Sequence, residues 1–263
     1  MRLLQLSDPH LLADPEGCFR GRQPLACLDR ALQEASIQAP EPDLLLISGD
    51  LCQDESWVGY ALLRDRLAAW PTPVALLAGN HDHPLHLRAA LGRHAVLAPA
   101  ALEIAGVRLL LLNSHRAGCV EGWLGAHQLA WLAEQLARPS ALPLVVAVHH
   151  PPVAIGDPSF DVIGLRDAAA LLERLAPTPQ LQAVLFGHVH QHWQGPLPGR
   201  PEVPVLGCPS TLCGFGPVQP CPLGRPDDPG GRWLELNPAG GVHHTLLRWK
   251  AVAPALSLAS ESP

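Results

Sequence analysis

The stretch Leu76-Leu77-Ala78-Gly79-Asn80-His81-Asp82 runs from an apolar segment into an abrupt glycine. Three polar side chains of different chemistry then follow: an amide, an imidazole and a carboxylate. Open α/β sheets place their chemistry at the C-terminal ends of strands, and this stretch reads as such an end. Taken alone, a strand followed by a polar turn explains it equally well. Recurrence is what singles it out. Four other apolar segments end in the same way. Segment 3–6 leads into Asp8-Pro9-His10, segment 43–48 into Gly49-Asp50, segment 142–148 into His149-His150-Pro151, and segment 182–186 into Gly187-His188-Val189-His190.

The segments between these ends have helical periodicity. Pro24–Gln38 opens on a proline suited to a first turn and carries Leu25, Leu28, Leu32 and Ala35 as one apolar stripe. Residues 56–69 form a second helix with Ser56 as N-cap, and Pro84–Leu91 a third, short one. Strands alternating with helices predict parallel pairing in an α/β fold. Further on, 102–104 and 107–113 flank Ala105-Gly106 as a hairpin. Residues 125–138 form an amphipathic helix with Leu129, Leu132 and Leu136 on one face, and 166–175 form another helix. Short strands at 203–206, 232–236 and Val242–Arg248 surround a loop-rich stretch, 207–231, expected to cap the site. The chain reads as one domain over residues 1–250, followed by a disordered tail, 251–263.

With 263 residues, 48% of them apolar and 16% charged, the chain can bury a large core. A net charge of −6 offers no basic field for nucleic acid or an anionic membrane, so neither is expected as a partner. The opening apolar run is too short for a signal peptide, and no run of 18 or more apolar residues predicts a membrane span. Seven cysteines without a Cys-x-x-Cys pair read as reduced thiols of a cytoplasmic protein. Cys208, Cys213 and Cys221 lie close in sequence but have no fourth ligand at zinc-knuckle spacing.

All five polar ends follow buried strands of what reads as one sheet, so they converge on one edge. Their side chains are carboxylate, imidazole and amide, with no thiolate. That donor set suits Mn, Fe or Zn. In this order, Asp8-x-His10, Gly49-Asp50, Gly79-Asn80-His81-Asp82, His149 and Gly187-His188-Val189-His190 resemble the calcineurin-like metallophosphoesterases. The resemblance implies a four-layer α/β/β/α sandwich with two mixed β-sheets and a centre of two divalent or trivalent metal ions. One ion would be held by Asp8, His10, Asp50 and His190, the other by Asp50, Asn80, His149 and His188, with Asp50 bridging. In the family the ligand of this block sits two residues before a proline, so for His149-His150-Pro151 the resemblance implies His149 as the ligand. His150 is then either a residue behind the ligands, a substrate-facing group or a loop histidine.

Phosphodiesters resist hydrolysis because the anionic ester repels hydroxide; two metals neutralise that charge and supply the nucleophile near neutral pH. His81, one residue past the neutral ligand Asn80, is read as the general acid that protonates the leaving oxygen, a role worth about 10²–10⁴ in rate. His10, Asp50, Asn80, His81 and His190 would also contact the substrate. Asp82 either orients His81 or a ligand, or caps the helix before Pro84.

A finer resemblance, to the bacterial class III 3′,5′-cyclic-AMP phosphodiesterases, rests on several blocks. These are Gln128-x-x-Trp131-Leu132, Gly187-His188-Val189-His190-Gln191, Pro209-Ser210-Thr211 and Gly231-Arg232-Trp233-Leu234-Glu235-Leu236. It implies hydrolysis of cyclic AMP to 5′-AMP, a small-molecule partner, in a monomer or homodimer. A glycerophosphodiesterase or a broad phosphodiesterase of the same fold is the alternative. A non-catalytic scaffold disagrees with a filled ligand set. Arg20-Gly21-Arg22-Gln23-Pro24 departs from the expected helix start, so Arg20 and Arg22 read either as phosphate or ribose contacts or as a solvated loop. Ser210 and Thr211 read either as substrate contacts or as a turn. The remaining histidines, among them His115 and His192, are expected at the surface or in packing, with His192 near enough to His190 to back it. The tryptophans are expected in the core or at an interface.

Overall fold

A computed structural model describes residues 1–237 and 241–252. The first sheet is built from β1 (Arg2–Leu6), β2 (Leu44–Ile47), β3 (Val74–Leu76) and β4 (Val96–Leu97), mutually parallel. Three helices occur between them: α1 (Pro24–Gln38), α2 (Trp57–Leu67) and α3 (Pro84–Leu91). The second sheet follows with β5 (Ala100–Ile104), β6 (Val107–Leu111), α4 (Gly125–Ala137), β7 (Leu144–Ala147), α5 (Pro158–Asp161), α6 (Ala168–Leu175), β8 (Leu181–Phe186), β9 (Trp193–Leu197) and β10 (Arg200–Gly207). The chain then returns to the first sheet through β11 (Gly230–Leu236) and β12 (Val242–Arg248). Strand order is β12-β11-β1-β2-β3-β4 in one sheet and β5-β6-β7-β8-β10-β9 in the other, each with parallel and antiparallel pairs.

Side chains alternate faces along a strand, and here both faces are buried. Leu4, Leu6, Leu45, Ile47 and Leu76 pack under α1, α2 and α3. Their neighbours Leu3, Leu44, Leu46, Ala75 and Leu77 meet Leu109, Leu111, Val145, Ala147 and Leu185 of the other sheet. The opposite face of the second sheet, with Leu110, Val146 and Val184, takes Leu129 and Leu132 of α4 and Leu171 and Leu175 of α6. The result is a four-layer α/β/β/α sandwich. Double burial explains why these strands read as unbroken apolar runs without alternation.

Several boundaries differ from expectation. The helix expected at 56–69 spans Trp57–Leu67, and the Ser56 hydroxyl accepts from the Gly59 N–H at its start. The helix expected at 166–175 starts at Ala168, because the Asp167 carboxylate instead caps α4 through Leu124 and Gly125. β4, β9 and α5 were not foreseen, and β10 starts before Val203. β9 is an edge strand that contains Gly195 and Pro196, and an edge tolerates the donor that proline lacks. Between Gly207 and Gly230 there is no helix or strand. Of the expected tail, Ala251 and Val252 are half-buried, and 253–263 lie outside the described residues. All seven cysteines are free.

Two polar ties cross between the sheets near the strand ends. The Gln5 amide donates to Ser48 Oγ and to the Phe186 carbonyl. The fully buried Arg232 donates to the carbonyls of Gly207 and Trp193 and to His192 Nδ1. His192 therefore lies against Arg232, away from the ligand positions.

Candidate metal centre

The strand ends of both sheets meet at one edge. Asp8 and His10 follow β1, Asp50 follows β2, and Asn80 follows β3, while His149 follows β7 and His188 and His190 follow β8. Five of these seven take left-handed backbone angles: Asp8 (φ 52°), His10 (49°), Asp50 (48°), His188 (67°) and His190 (52°). Only nine described non-glycine residues have positive φ, so this conformation is concentrated on the ligand candidates. Such a residue costs on the order of 1–2 kcal/mol and persists where the surroundings hold it. They hold it here through hydrogen bonds between loops: Asp8 N–H to Gly49 O, His10 N–H to Asp50 O and Leu11 N–H to Leu51 O.

Close approach also fixes two glycines. A Cβ at Gly49 would lie 2.2 Å from His149 Nδ1, and at Gly79 it would lie 2.1 Å from Asp50 Oδ1. The glycine at each strand end therefore admits a ligand candidate from the neighbouring one.

The donor atoms gather into one cluster. Asp8, His10, Asp50 and His190 each present an atom within 4.8 Å of the others, and His149, His150 and His188 form a second such group. His10 Nε2 lies 2.9 Å from His190 Nε2 and 3.7 Å from Asp50 Oδ2, and His190 Nε2 lies 3.6 Å from Asp8 Oδ1. His149 Nε2 lies 3.4 Å from Asn80 Oδ1 and 3.5 Å from Asp50 Oδ1, so Asp50 faces both groups.

Hydrogen bonds on the far side of each ring set its tautomer. His149 Nδ1 faces the Ser48 carbonyl at 2.7 Å and His190 Nδ1 faces that of Cys213 at 3.2 Å. A carbonyl only accepts, so each Nδ1 bears a hydrogen, and in the neutral ring each Nε2 turns a lone pair inward. His10 Nδ1 faces the Gln53 side-chain oxygen at 2.7 Å to the same effect. Both ring nitrogens of buried His188 lack a partner among the described residues. Lone pairs and carboxylates converging from several directions, backed by outward N–H bonds, are what a cation site requires. The donor set and the orphaned His188 ring thus fit a metal centre.

Electrostatics within the cluster favour neutral rings at His10, His188 and His190 and a charged ring at His149. Burial holds His10 down at about 4 and His188 down at about 3, and drives His190 well below the usual imidazole range, so these rings stay neutral. Burial pushes Asp8 up to about 7. Burial also disfavours charge on His149, but Asp50 and Asp8 outweigh it and raise the imidazole to about 9. Burial works against charge on Asp50 as well; His149, His10 and His81 prevail and hold it well below the usual carboxylate range.

Several open sequence readings find a definite place. Asp82 neither orients His81 nor caps α3. It is buried and accepts from the N–H groups of Leu51, Cys52 and Gly79 and from the Tyr60 hydroxyl, bracing the ends of β2 and β3. The cap of α3 is His83. Both nitrogens of buried His150 are engaged, Nδ1 with Ser114 Oγ and Nε2 with the Val120 carbonyl, which makes it a structural histidine. Ser210 is buried, donating to the Asp8 carbonyl and accepting from Leu212 N–H, and Thr211 is buried beside it, so the turn reading describes both. Arg20 is exposed, with its guanidinium over the rings of Phe19 and Phe215. Those rings pack on His10 and His190 in turn, and Phe215 brings the 207–231 stretch against a ligand candidate. Trp57 and Trp123 are exposed and lie outside the core.

Two neighbours of the site escaped the sequence reading. Gln53 contacts both His10 and His81, and its signal was its position three residues past Asp50 on the same loop. His115 binds the Gly79 carbonyl through Nδ1 and steadies that turn; nothing in its local sequence marks it.

The profile of the calcineurin-like phosphoesterase family matches residues 1–192, a span that holds all seven ligand candidates. The chain belongs to that family. Relatives include a probable cyclic nucleotide phosphodiesterase of Synechococcus sp. strain WH7803, 51% identical over 97% of this chain and 98% of that protein. A 3′,5′-cyclic adenosine monophosphate phosphodiesterase of Pseudomonas aeruginosa is 34% identical over 94% of this chain and 89% of that one. Among solved structures, a dimetal phosphatase from Danio rerio matches with TM-score 0.65 at 13% identity, over 97% of this chain and 99% of that chain. At that identity the likeness is one of fold.

Proposed function

We propose that the chain is a metal-dependent phosphodiesterase that hydrolyses 3′,5′-cyclic AMP to 5′-AMP. The observation that carries this reading is the convergence of inward-facing acceptor atoms from seven residues of both sheets at one edge. Two ions of Fe, Mn or Zn would be held there, one by Asp8, His10, Asp50 and His190, the other by Asp50, Asn80, His149 and His188. When bound, they neutralise phosphoryl charge and activate water.

The chain's own residues do the rest. His81 is partly exposed at this edge, and its backbone N–H is anchored on Asp50 Oδ1 at 2.9 Å. As the bond from phosphorus to the 3′ oxygen breaks, the His81 imidazole gives its proton to that oxygen. His10, Asp50, Asn80, His81 and His190 line the edge that the phosphate approaches. Phe19, Phe215 and Arg20 form an aromatic and cationic rim beside it, which favours a planar base over a glycerol moiety. The names of the bacterial relatives support the same substrate class.

Turnover of cyclic AMP, cyclic GMP, 2′,3′-cyclic nucleotides and glycerophosphocholine should be compared by kcat/KM on one metal-loaded preparation. Cyclic AMP is expected to lead. A lead for glycerophosphocholine would overturn the substrate while leaving the phosphodiesterase in place. For the acid, His81→Ala should keep both metals and lose about 10²–10⁴ on an alkoxide leaving group, but far less on an activated aryl ester. Equal losses on the two esters would remove His81 from that role.

A further inference from the structure

Gln53 lies beyond the ligand set, on the loop after Asp50, and its side chain touches two histidines of different roles. Its oxygen Oε1 is 2.7 Å from His10 Nδ1, and its nitrogen Nε2 is 3.2 Å from His81 Nδ1. The two rings stand edge to face with centroids 5.2 Å apart. Its backbone N–H is bonded to the Leu11 carbonyl at 2.8 Å, so the amide is held between the loops that follow β1 and β2.

An amide has one accepting and one donating end, so its two contacts cannot be set independently. His10 points Nε2 into the cluster, and a ligand nitrogen must present a lone pair, which places the His10 hydrogen on Nδ1. The Gln53 oxygen then accepts from His10, and the NH₂ group is left facing His81. Nδ1 of His81 has to accept from it and cannot carry a hydrogen in the neutral ring. The single proton of neutral His81 is thereby confined to Nε2, which has no partner among the described residues.

We propose that Gln53 is a positioning residue that links the ligand candidate His10 to the general acid and keeps the His81 proton on Nε2 for the leaving oxygen; once that proton is given up, the Gln53 NH₂ group still donates to Nδ1 of the imidazolate left behind. This rests on the reading of His81 as the acid. A carboxylate at position 53 would accept from both rings and draw a hydrogen onto His81 Nδ1. The amide is therefore a specific chemical choice, different from that of a generic polar linker.

The test uses the full-length protein loaded with Zn²⁺ and labelled with ¹⁵N-histidine, whose long-range ¹H–¹⁵N correlations read the tautomer of each ring. His81 should be a single Nε2–H tautomer in the parent, a mixture in Gln53→Leu, and protonated on Nδ1 in Gln53→Glu. A parent His81 with its hydrogen on Nδ1, or the same tautomer in all three proteins, would overturn the proposal. These readouts need no turnover, so they stand or fall apart from the choice of substrate. In kinetics at saturating metal, Gln53→Leu should lose about 10–100-fold on an alkoxide leaving group and much less on an aryl ester. Added to His81→Ala, the same substitution should cost less than about threefold, because its target is gone. A full additional loss there would show that Gln53 acts only through His10 and the metal, and would also overturn the proposal.

Discussion

Gly79→Ala would insert one methyl group where the end of β3 passes the end of β2. The added Cβ would lie 2.1 Å from Asp50 Oδ1, 2.4 Å from Asp50 N and 2.7 Å from Asp50 Cγ. An ordinary contact needs about 3.4–4 Å, so the overlap exceeds 1 Å. One obstacle is backbone, which cannot turn aside as a flexible side chain would. The two strand ends must therefore separate by roughly 1 Å. Overpacking of this kind costs about 1–3 kcal/mol, which a domain of this size survives as a fall of about 2–12 °C in Tm. The centre tolerates it far less, because Asp50 faces both ligand groups and a misplacement near 1 Å costs about 10²-fold in rate. Gly216→Ala is the control: its Cβ would meet nothing within 4 Å. Metal content by mass spectrometry, Tm and kcat on a phosphodiester should be read together. Gly79→Ala is expected to remain folded, lose stoichiometric metal and fall about 100-fold or more in kcat, while Gly216→Ala keeps its metal and its Tm. If Gly79→Ala bound two metals per chain with kcat within threefold of the parent, the packing of Asp50 against Gly79 could not be what shapes the site.

Tyr60→Phe removes the hydroxyl that donates to Asp82 at 2.9 Å and accepts from the His83 N–H at 2.6 Å; urea unfolding should show a loss of about 1–3 kcal/mol, and an unchanged midpoint would contradict the brace. In the metal-free protein, the His149 pKa is raised from 6.5 to about 9, so the stability it contributes is fully present below pH 6.5 and lost as pH rises through about 9. Asp8 and Asp82, pushed up to about 7, have largely completed their own changes by pH 8, leaving His149 to give a fall on the order of 1 kcal/mol from pH 8 up through about 9. An NMR titration of the metal-free protein should accordingly show a His149 imidazolium at pH 8, and a midpoint near 6.5 would refute it. Stripping metal with a chelator should lower Tm, because the ligands come from both sheets; metal at 1,000 times its Kd adds about 4 kcal/mol. Identical melting with and without metal would dissociate the cluster from metal binding.

The sequence made the ligand candidates legible because each sits where an apolar strand stops, and a buried parallel strand has a sharp apolar signature. The layers came through the family resemblance: the apolar runs alone read as one sheet, whereas the ends after β1, β2 and β3 belong to one sheet and those after β7 and β8 to the other, because doubly buried strands carry no mark of which sheet they join. What stayed hidden depends on through-space pairing. Asp82 and Asp167 are both aspartates beside a helix start, yet each serves backbone N–H groups of a distant segment, which no local pattern records. His150 could be separated from His149 chemically only once Ser114 and the Val120 carbonyl were found against its ring. β9 was missed because glycine and proline argue against a strand until the strand is known to be at an edge.

The order of the first sheet sets a schedule for making the protein. The ligand set is complete once His190 has been synthesised, but β1 is flanked on one side by β11, and the Met1 amino group bonds to Leu236, 235 residues away. At about 5–20 residues per second, β1 waits roughly 10–50 s for that partner. During this interval the parallel β1–β2–β3 unit can assemble, with one open edge of unpaired N–H and C=O groups on an apolar strand, the kind of template that recruits other chains. A nascent chain ending before Gly230 would carry every ligand candidate and still be prone to self-association, so the risk in production lasts late into translation, until β11 has left the ribosome.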